Sequence, residues 1–446
     1  MTLISTNVRC AHPGNAQVGC VKRFALLINA TALLYCSIAA RVEAQLTPNQ
    51  AAAHSALSQQ NGPLKNFADT TPQNLDLCVP DELTSVDNEG VSAANGQIVN
   101  LRQRLATVRA DSTGSSPSSS SMNGSAPSFS AGMAGVTGPE GKAGPSVTAS
   151  IPENRWGTFV TGTGEFVDVG NTTNAPGFYL RTGGVTAGVD YRVGSNFVIG
   201  LTAGYAHTGG DLAANGSLDI NTEIVGLYGT AFTGGFYLDA AVTGYLSQYD
   251  TQRTTCLVNV TNGRPMGTPT VSGSTDGFDL NVLVAGGYDW KTGNLSIGPT
   301  AEFQYTYVSV DGFTESGPSV PQGEAVLVLK INDQHPTSIL TAFGMKASYD
   351  WKVGGVLIKP ELRVAWQHEY AETTYSIISS FVAQPGVTPT TLQPVTGPAI
   401  GHDRLRMGAG ATVLWNERIS TYLFYTGEFA DNYQFNGVFG GVRVTF

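Results

Sequence analysis

The sequence predicts an all-β chain: a 12-stranded antiparallel transmembrane β-barrel, preceded by a signal peptide, a short partly helical region and a disordered linker. Three observations carry that expectation. From about Arg155 onward the chain reads as short segments of alternating polarity, even in number, and the last is Val438-x-Gly440-x-Val442-x-Val444-x-Phe446. Every second link between segments is tight, at Arg192–Ser195, Phe232–Gly234, Trp290–Gly293, Asp350–Gly354 and Asn416–Arg418, while 208–216, 250–274, 310–336 and 372–400 are long. Short turns at one rim and long loops at the other are what a barrel inserted from one side requires. Charged residues make up only 13% of the chain, about half the usual share for a soluble protein.

A mean hydropathy of −0.03 excludes a bundle of membrane helices. It suits a barrel, because lipid-facing and lumen-facing side chains alternate and cancel in the average. The net charge of −10 excludes a nucleic-acid binder, which needs a basic footprint.

At the front, Lys22 and Arg23 precede the apolar run 24–40, and small residues stand at Val42 and Ala44. A basic n-region, an apolar h-region and small residues before the cut describe a secretory leader cleaved between Ala44 and Gln45. The 45–111 region is passenger-like and partly helical. Thr47-Pro48 opens a first helix, and Val91, Ile98, Leu101, Leu105 and Val108 lie on one face of a second, with Arg102, Arg104 and Arg109 elsewhere. That stripe is expected against the first helix, as a small hairpin, or against a barrel wall. Residues 112–153 collapse to Ser, Gly, Pro and Ala, a linker unable to bury a core. Cys10, Cys20 and Cys36 fall in the leader; Cys78 and Cys256 remain, and pair only if the N-terminal region folds back on a surface loop.

The barrel proper is expected over 154–446, with strands near 155–168, 177–191, 196–207, 217–231, 235–249, 275–289, 294–309, 337–349, 355–371, 401–415, 419–430 and 433–446. In the fourth, Leu218, Ile220 and Ile224 oppose Asp219, Asn221 and Glu223; in the tenth, Leu405, Met407 and Val413 oppose Arg404, Arg406 and Thr412. The polar set, Glu223, Asp279, Glu302, Arg363, Glu369, Arg404, Arg406 and Arg443, is expected to line the lumen. There its members would pair with one another, or touch a segment threaded through the pore. Aromatic residues crowd the short-turn rim, and Tyr191, Trp290, Trp351 and Trp415 are expected to form an interfacial girdle. No Gly-x-Ser-x-Gly or His-Glu-x-x-His pattern is present, so no catalytic residue, metal or cofactor is assigned.

Several of these segments resemble the β-domains of autotransporters, the type V secretion proteins. The stretch Lys359-Pro360-Glu361-Leu362-Arg363-Val364-Ala365-Trp366-Gln367-His368-Glu369-Tyr370 is similar to their ninth strand. Pro299 to Tyr305 with Gly312-Phe313-Thr314-Glu315, Trp156-Gly157 and Gly440 to Phe446 are similar to other parts. The resemblance implies a monomeric barrel in the bacterial outer membrane, in contact with its lipid, that carries an N-terminal passenger to the cell surface. It also implies handling by periplasmic chaperones and by the barrel-assembly machinery, which would read Val442, Val444 and Phe446. The short, polar region 45–111 departs from the long passengers of the family. A non-exporting barrel, with that region periplasmic or acting as a plug, therefore stays open beside the exporter; a secreted enzyme is the third reading.

Overall fold

The computed structural model describes residues 46–67, 72–112 and 155–446. The expected cleavage point at Ala44 and Gln45 and most of the linker lie outside them. The described residues from Pro48 onward form one compact unit.

Twelve long strands close on themselves: β1 Trp156–Val169, β2 Phe178–Arg192, β3 Phe197–Asp211, β4 Ser217–Thr233, β5 Phe236–Thr254, β6 Thr270–Tyr288, β7 Leu295–Val310, β8 Thr337–Tyr349, β9 Val356–Glu369, β10 Asp403–Leu414, β11 Ile419–Ala430 and β12 Tyr433–Thr445. Each pairs antiparallel with its sequence neighbours, and β12 returns to β1 in the register Thr158↔Val444 and Val167↔Phe435. Closure leaves no open edge in the wall, so each long strand pairs on both sides without needing water. The turns at the short-turn rim are tight; Gly234 and Gly354 hold φ near +60°, the left-handed conformation that two-residue hairpin turns demand.

The outer surface decides the solvent. Leu201, Val225, Leu362 and Leu423 are 59%, 61%, 64% and 61% exposed, and comparable aliphatics follow on neighbouring strands. In water such a continuous apolar band would drive aggregation; against hydrocarbon it costs nothing. No helix among the described residues is long and apolar enough to cross a membrane, and the crossing is made by strands.

At the long-loop rim the strands run further than the alternation alone indicates: β3 reaches Asp211 and β5 reaches Thr254. Here the polarity of the wall inverts. Leu218, Ile220 and Ile224 are buried inside the barrel, whereas Asp219 and Glu223 are exposed outside. Glu223 is therefore not a lumen residue. Further down the same strand Val225 and Leu227 face out and Thr230 faces in. The strand keeps its period, but its upper half stands above the hydrocarbon, with water outside and an apolar cluster within.

That cluster joins Val167, Val169, Phe178, Leu180, Leu218, Ile220, Val308, Val310 and Phe435 to Val86 and Val99. Above it the long loops build small sheets: Phe313–Thr314 with Leu329–Ile331 and Ser379–Phe381, and Leu257–Asn259 with Pro265–Gly267 and Glu324–Val326. Helices α1 (Pro48–Ser58) and α2 (Pro72–Asp76) lie on these loops as a cap. Asn49 Nδ2 donates to the carbonyl of Thr396 at 2.9 Å and its Oδ1 accepts from Thr396 N at 3.0 Å. Gln60 repeats the pattern on Thr388, donating at 2.9 Å and accepting at 2.7 Å. From the cap, helix α3 (Ser85–Ser112) descends inside the barrel.

Candidate functional site: the occupied lumen

Every residue of α3 from Ile98 to Arg109 is buried or half-buried, on all sides of the helix. Of the two expectations for its apolar stripe, contact with the wall is the one that the described residues Ile98, Leu101 and Leu105 meet. Ile98, Leu101 and Leu105 pack on Phe159 of β1, Tyr228 of β4, Ala241 of β5 and Leu283 and Ala285 of β6. Each such aliphatic taken out of water contributes about 1.5–3 kcal/mol. Glycine makes room for this contact. A Cβ at Gly188 would lie 2.4 Å from the Phe159 ring, and one at Gly200 would lie 2.3 Å from the Tyr228 ring. Both rings lie flat against bare backbone and leave space for a helix about 10–12 Å across.

Charge holds the rest of the helix. Arg102 pairs with Glu302 of β7, Arg104 with Asp190 of β2 and Arg109 with Asp239 of β5. Asp190 also receives Tyr228 Oη at 3.3 Å and faces Arg443 at 3.5 Å. The Arg104 and Arg109 guanidiniums lie 4.6 and 4.0 Å from the ring centres of Phe159 and Tyr237. Gln103 Oε1 accepts from Arg363 Nη2 at 3.1 Å. Arg109, in the last helical turn, has its charge at the negative end of the helix dipole.

Of the residues singled out from the sequence, Glu302, Arg363, Arg406 and Arg443 face the lumen around α3. Arg406 bridges Glu302 and Glu428, both at 2.8 Å. Glu369 and Arg404 lie 4.0 Å apart near the loop rim, where Glu369 accepts from Ile339 N at 2.7 Å. Asp279 is buried in β6. Sequence reasoning missed Asp190, Asp239 and Glu428. The signal was present: three arginines between positions 102 and 109, in a chain with 24 basic residues, need carboxylates facing them.

Trp290, Trp351 and Trp415 are exposed at the short-turn rim, and Tyr191 is half-buried there with its ring 4.8 Å from that of Trp156. Val442, Val444 and Phe446 are exposed along the seam. A second outward aromatic set, Tyr205, Trp366, Tyr370 and Tyr425, marks the upper rim and was not anticipated.

The residues from 158 to 426 match the family model for the autotransporter β-domain. The chain belongs to the autotransporter β-domain family. It is a bacterial outer-membrane β-barrel. Two extracellular serine proteases of Serratia marcescens are each 24% identical over 273 residues, 61% of this chain. The chain spans about a quarter of the length of these curated relatives, since the match is 24% of each. Among solved structures, the translocator domain of the autotransporter NalP from Neisseria meningitidis aligns with 14% identity and a TM-score of 0.49, covering 66% of this chain and 90% of that one. The β-domain of the Bordetella autotransporter BrkA aligns with 19% identity and a TM-score of 0.45, covering 66% and 100%.

Outside the membrane-spanning wall, the autotransporter's cap buries acids. Burial, and then the neighbouring Asp76, push Asp81 from its usual 3.8 up to about 7. Burial, and then Asp81, push Glu82 up as well, with Arg253 opposing and Glu315 adding to the rise. These pKa values lie above those of the free chain, so the docked cap binds more protons than the undocked one. Asp81's contribution to docking is complete below about pH 4 and is lost as pH rises through about 7, and Glu82's is lost in the same direction. Hydrogen exchange in residues 48–86, corrected for intrinsic rates, is expected to show more protection at pH 5.5 than at pH 8. The reverse order would remove the buried acids from the account.

Proposed function

We propose that this barrel exports and presents its own N-terminal segment: residues 48–67 and 72–84 form a cap on the outer face, and α3 stays behind as a plug. The observation that carries this is α3 itself, running from the long-loop rim to the short-turn rim. Outer-membrane barrels place long loops outside and short turns in the periplasm, so a chain crossing in this sense has its N-terminal side outside. The paired arginines supply a reason for the helix to stop in the pore. The segments fall as leader 1–44, a partly helical passenger-like region 45–111 that holds both cap and plug, linker 112–153 and barrel 154–446.

On this reading Tyr191, Trp290, Trp351 and Trp415 sit at the periplasmic headgroup level. Val442, Val444 and Phe446 would be the strand read by the barrel-assembly machinery, after delivery by periplasmic chaperones, and the barrel would work as a monomer. Serine protease activity belongs to the Serratia relatives, of whose length this chain spans about a quarter.

The test is topological. An epitope inserted at exposed Asn61, in the full chain, is expected to bind antibody on intact cells. Binding only after the outer membrane is permeabilised would reject export and leave a non-exporting barrel with an internal plug.

A further inference from the structure

The cap and the barrel carry one cysteine each, and the fold brings them together. Cys78 follows α2 and Cys256 opens the β5–β6 loop, 178 residues later in sequence (256 − 78). Both thiols are buried, at 1% and 3% exposure. Both donate to one acceptor, the carbonyl oxygen of Asn74, Cys78 Sγ at 3.5 Å and Cys256 Sγ at 3.4 Å.

The surroundings fix this juxtaposition. Arg253, three residues before Cys256, is fully buried and forked onto Glu315, with Nη2 donating to Oε2 at 2.8 Å. Its Nη1 reaches the carbonyl of Leu77, the residue before Cys78, at 3.4 Å. Glu315 is in turn held by Leu329 N at 2.8 Å. A rigid ion pair in the loops thus seats the cap backbone beside the Cys78 thiol.

We propose that Cys78 and Cys256 are the two ends of a disulfide latch that fastens the cap covalently to the barrel and so locks α3 in the lumen. The position of the latch on the cell surface rests on the export reading; the bond itself rests only on the docking of the cap. Cys10, Cys20 and Cys36 lie ahead of the expected cleavage point, which leaves these two cysteines for an oxidising compartment to pair. The oxidant is a small-molecule disulfide. One cysteine loses its proton to solvent, and its thiolate attacks the oxidant, forming a mixed disulfide and releasing one small thiol. The second thiolate attacks the mixed disulfide at the protein sulfur, forms the Cys78–Cys256 bond and releases the other small thiol. Two protein thiols are oxidised and one small disulfide is reduced to two thiols. Burial pushes the Cys78 thiol pKa up, so exchange is slow once the cap is seated and the bond forms as it docks.

Thiol counting on the full-length protein tests this without a variant. Protein from outer membranes, quenched in acid and denatured, is treated with a maleimide mass tag before and after reduction. The latch predicts no tagged thiol before reduction and two after; two tagged thiols before reduction would overturn it. Reduced protein in detergent exposed to glutathione disulfide is expected to recover the bond with no bound glutathione, whereas one glutathione per thiol would also overturn it. In planar bilayers, dithiothreitol is expected to raise the frequency of large openings at least tenfold in wild type and to leave C78S/C256S unchanged; an equal response in both would reject the locking of α3. A latch present in cells where the Asn61 epitope stays hidden would reject export and keep the latch. An exposed epitope with free thiols would do the opposite.

Discussion

Removing the three guanidiniums of α3 together, as Arg102→Gln, Arg104→Gln and Arg109→Gln, is expected to open the pore. In planar bilayers, with the thiols reduced, the variant should show large, long-lived conductance steps matching those of a chain deleted for residues 48–112. The reason is what is left behind. Glu302, Asp190 and Asp239 are all buried in the wall, and each loses the cation that α3 brings. Stripping one partner from a buried pair typically costs about 3–5 kcal/mol, because the remaining charge is stranded. Two of the three retain some compensation: Arg406 lies 2.8 Å from Glu302 and Arg443 lies 3.5 Å from Asp190. Even so, the remaining penalty competes with the burial of Ile98, Leu101 and Leu105, which holds the helix otherwise. Neutralising the wall as well, with Glu302→Gln, Asp190→Asn and Asp239→Asn, should restore closure in large part, since removing both partners of a buried pair is far less costly than removing one. A triple variant that conducts no more than reduced wild type, while the deletion conducts, would show that the apolar stripe alone keeps the helix in place.

The second large effect is expected at the loop rim. Arg253→Met leaves Glu315 fully buried with only Leu329 N of its present partners, and takes from the cap the donor to the Leu77 carbonyl. The expected cost is again about 3–5 kcal/mol, concentrated in the loops and the cap. With the thiols reduced, proteolysis of residues 48–86 should accelerate at least a hundredfold, while the barrel keeps its resistance to unfolding in detergent. Adding Glu315→Leu should recover the loops but not the Leu77 contact, so cap protection returns only in part. A barrel that unfolds together with the cap would mean that Arg253 supports the wall and has no particular role at the cap.

The contrast between these two sites explains how far the residues could be read unaided. Strand number, the tight turns, the apolar face at mid-height and the rim aromatics Trp290, Trp351 and Trp415 were legible, because each follows from neighbours two residues apart or from a turn of a few residues. Glu302, Arg406 and Arg443 were legible as inward for the same reason. Glu223 was not. A period of two gives two faces without saying which is wet, and above the hydrocarbon the dry side of β4 is the inside.

What this sequence determined by itself is the closed wall: a local alternation, repeated twelve times, with short turns at one rim. What only the tertiary structure decided is what the wall encloses and what seals its mouth. Arg104 finds Asp190, and Cys78 finds Cys256, only after the barrel has closed and its loops have folded. The physical reason is range. Alternation is written into adjacent residues, whereas a charge pair across a lumen, or two thiols 178 residues apart in sequence, are set by where whole strands come to rest.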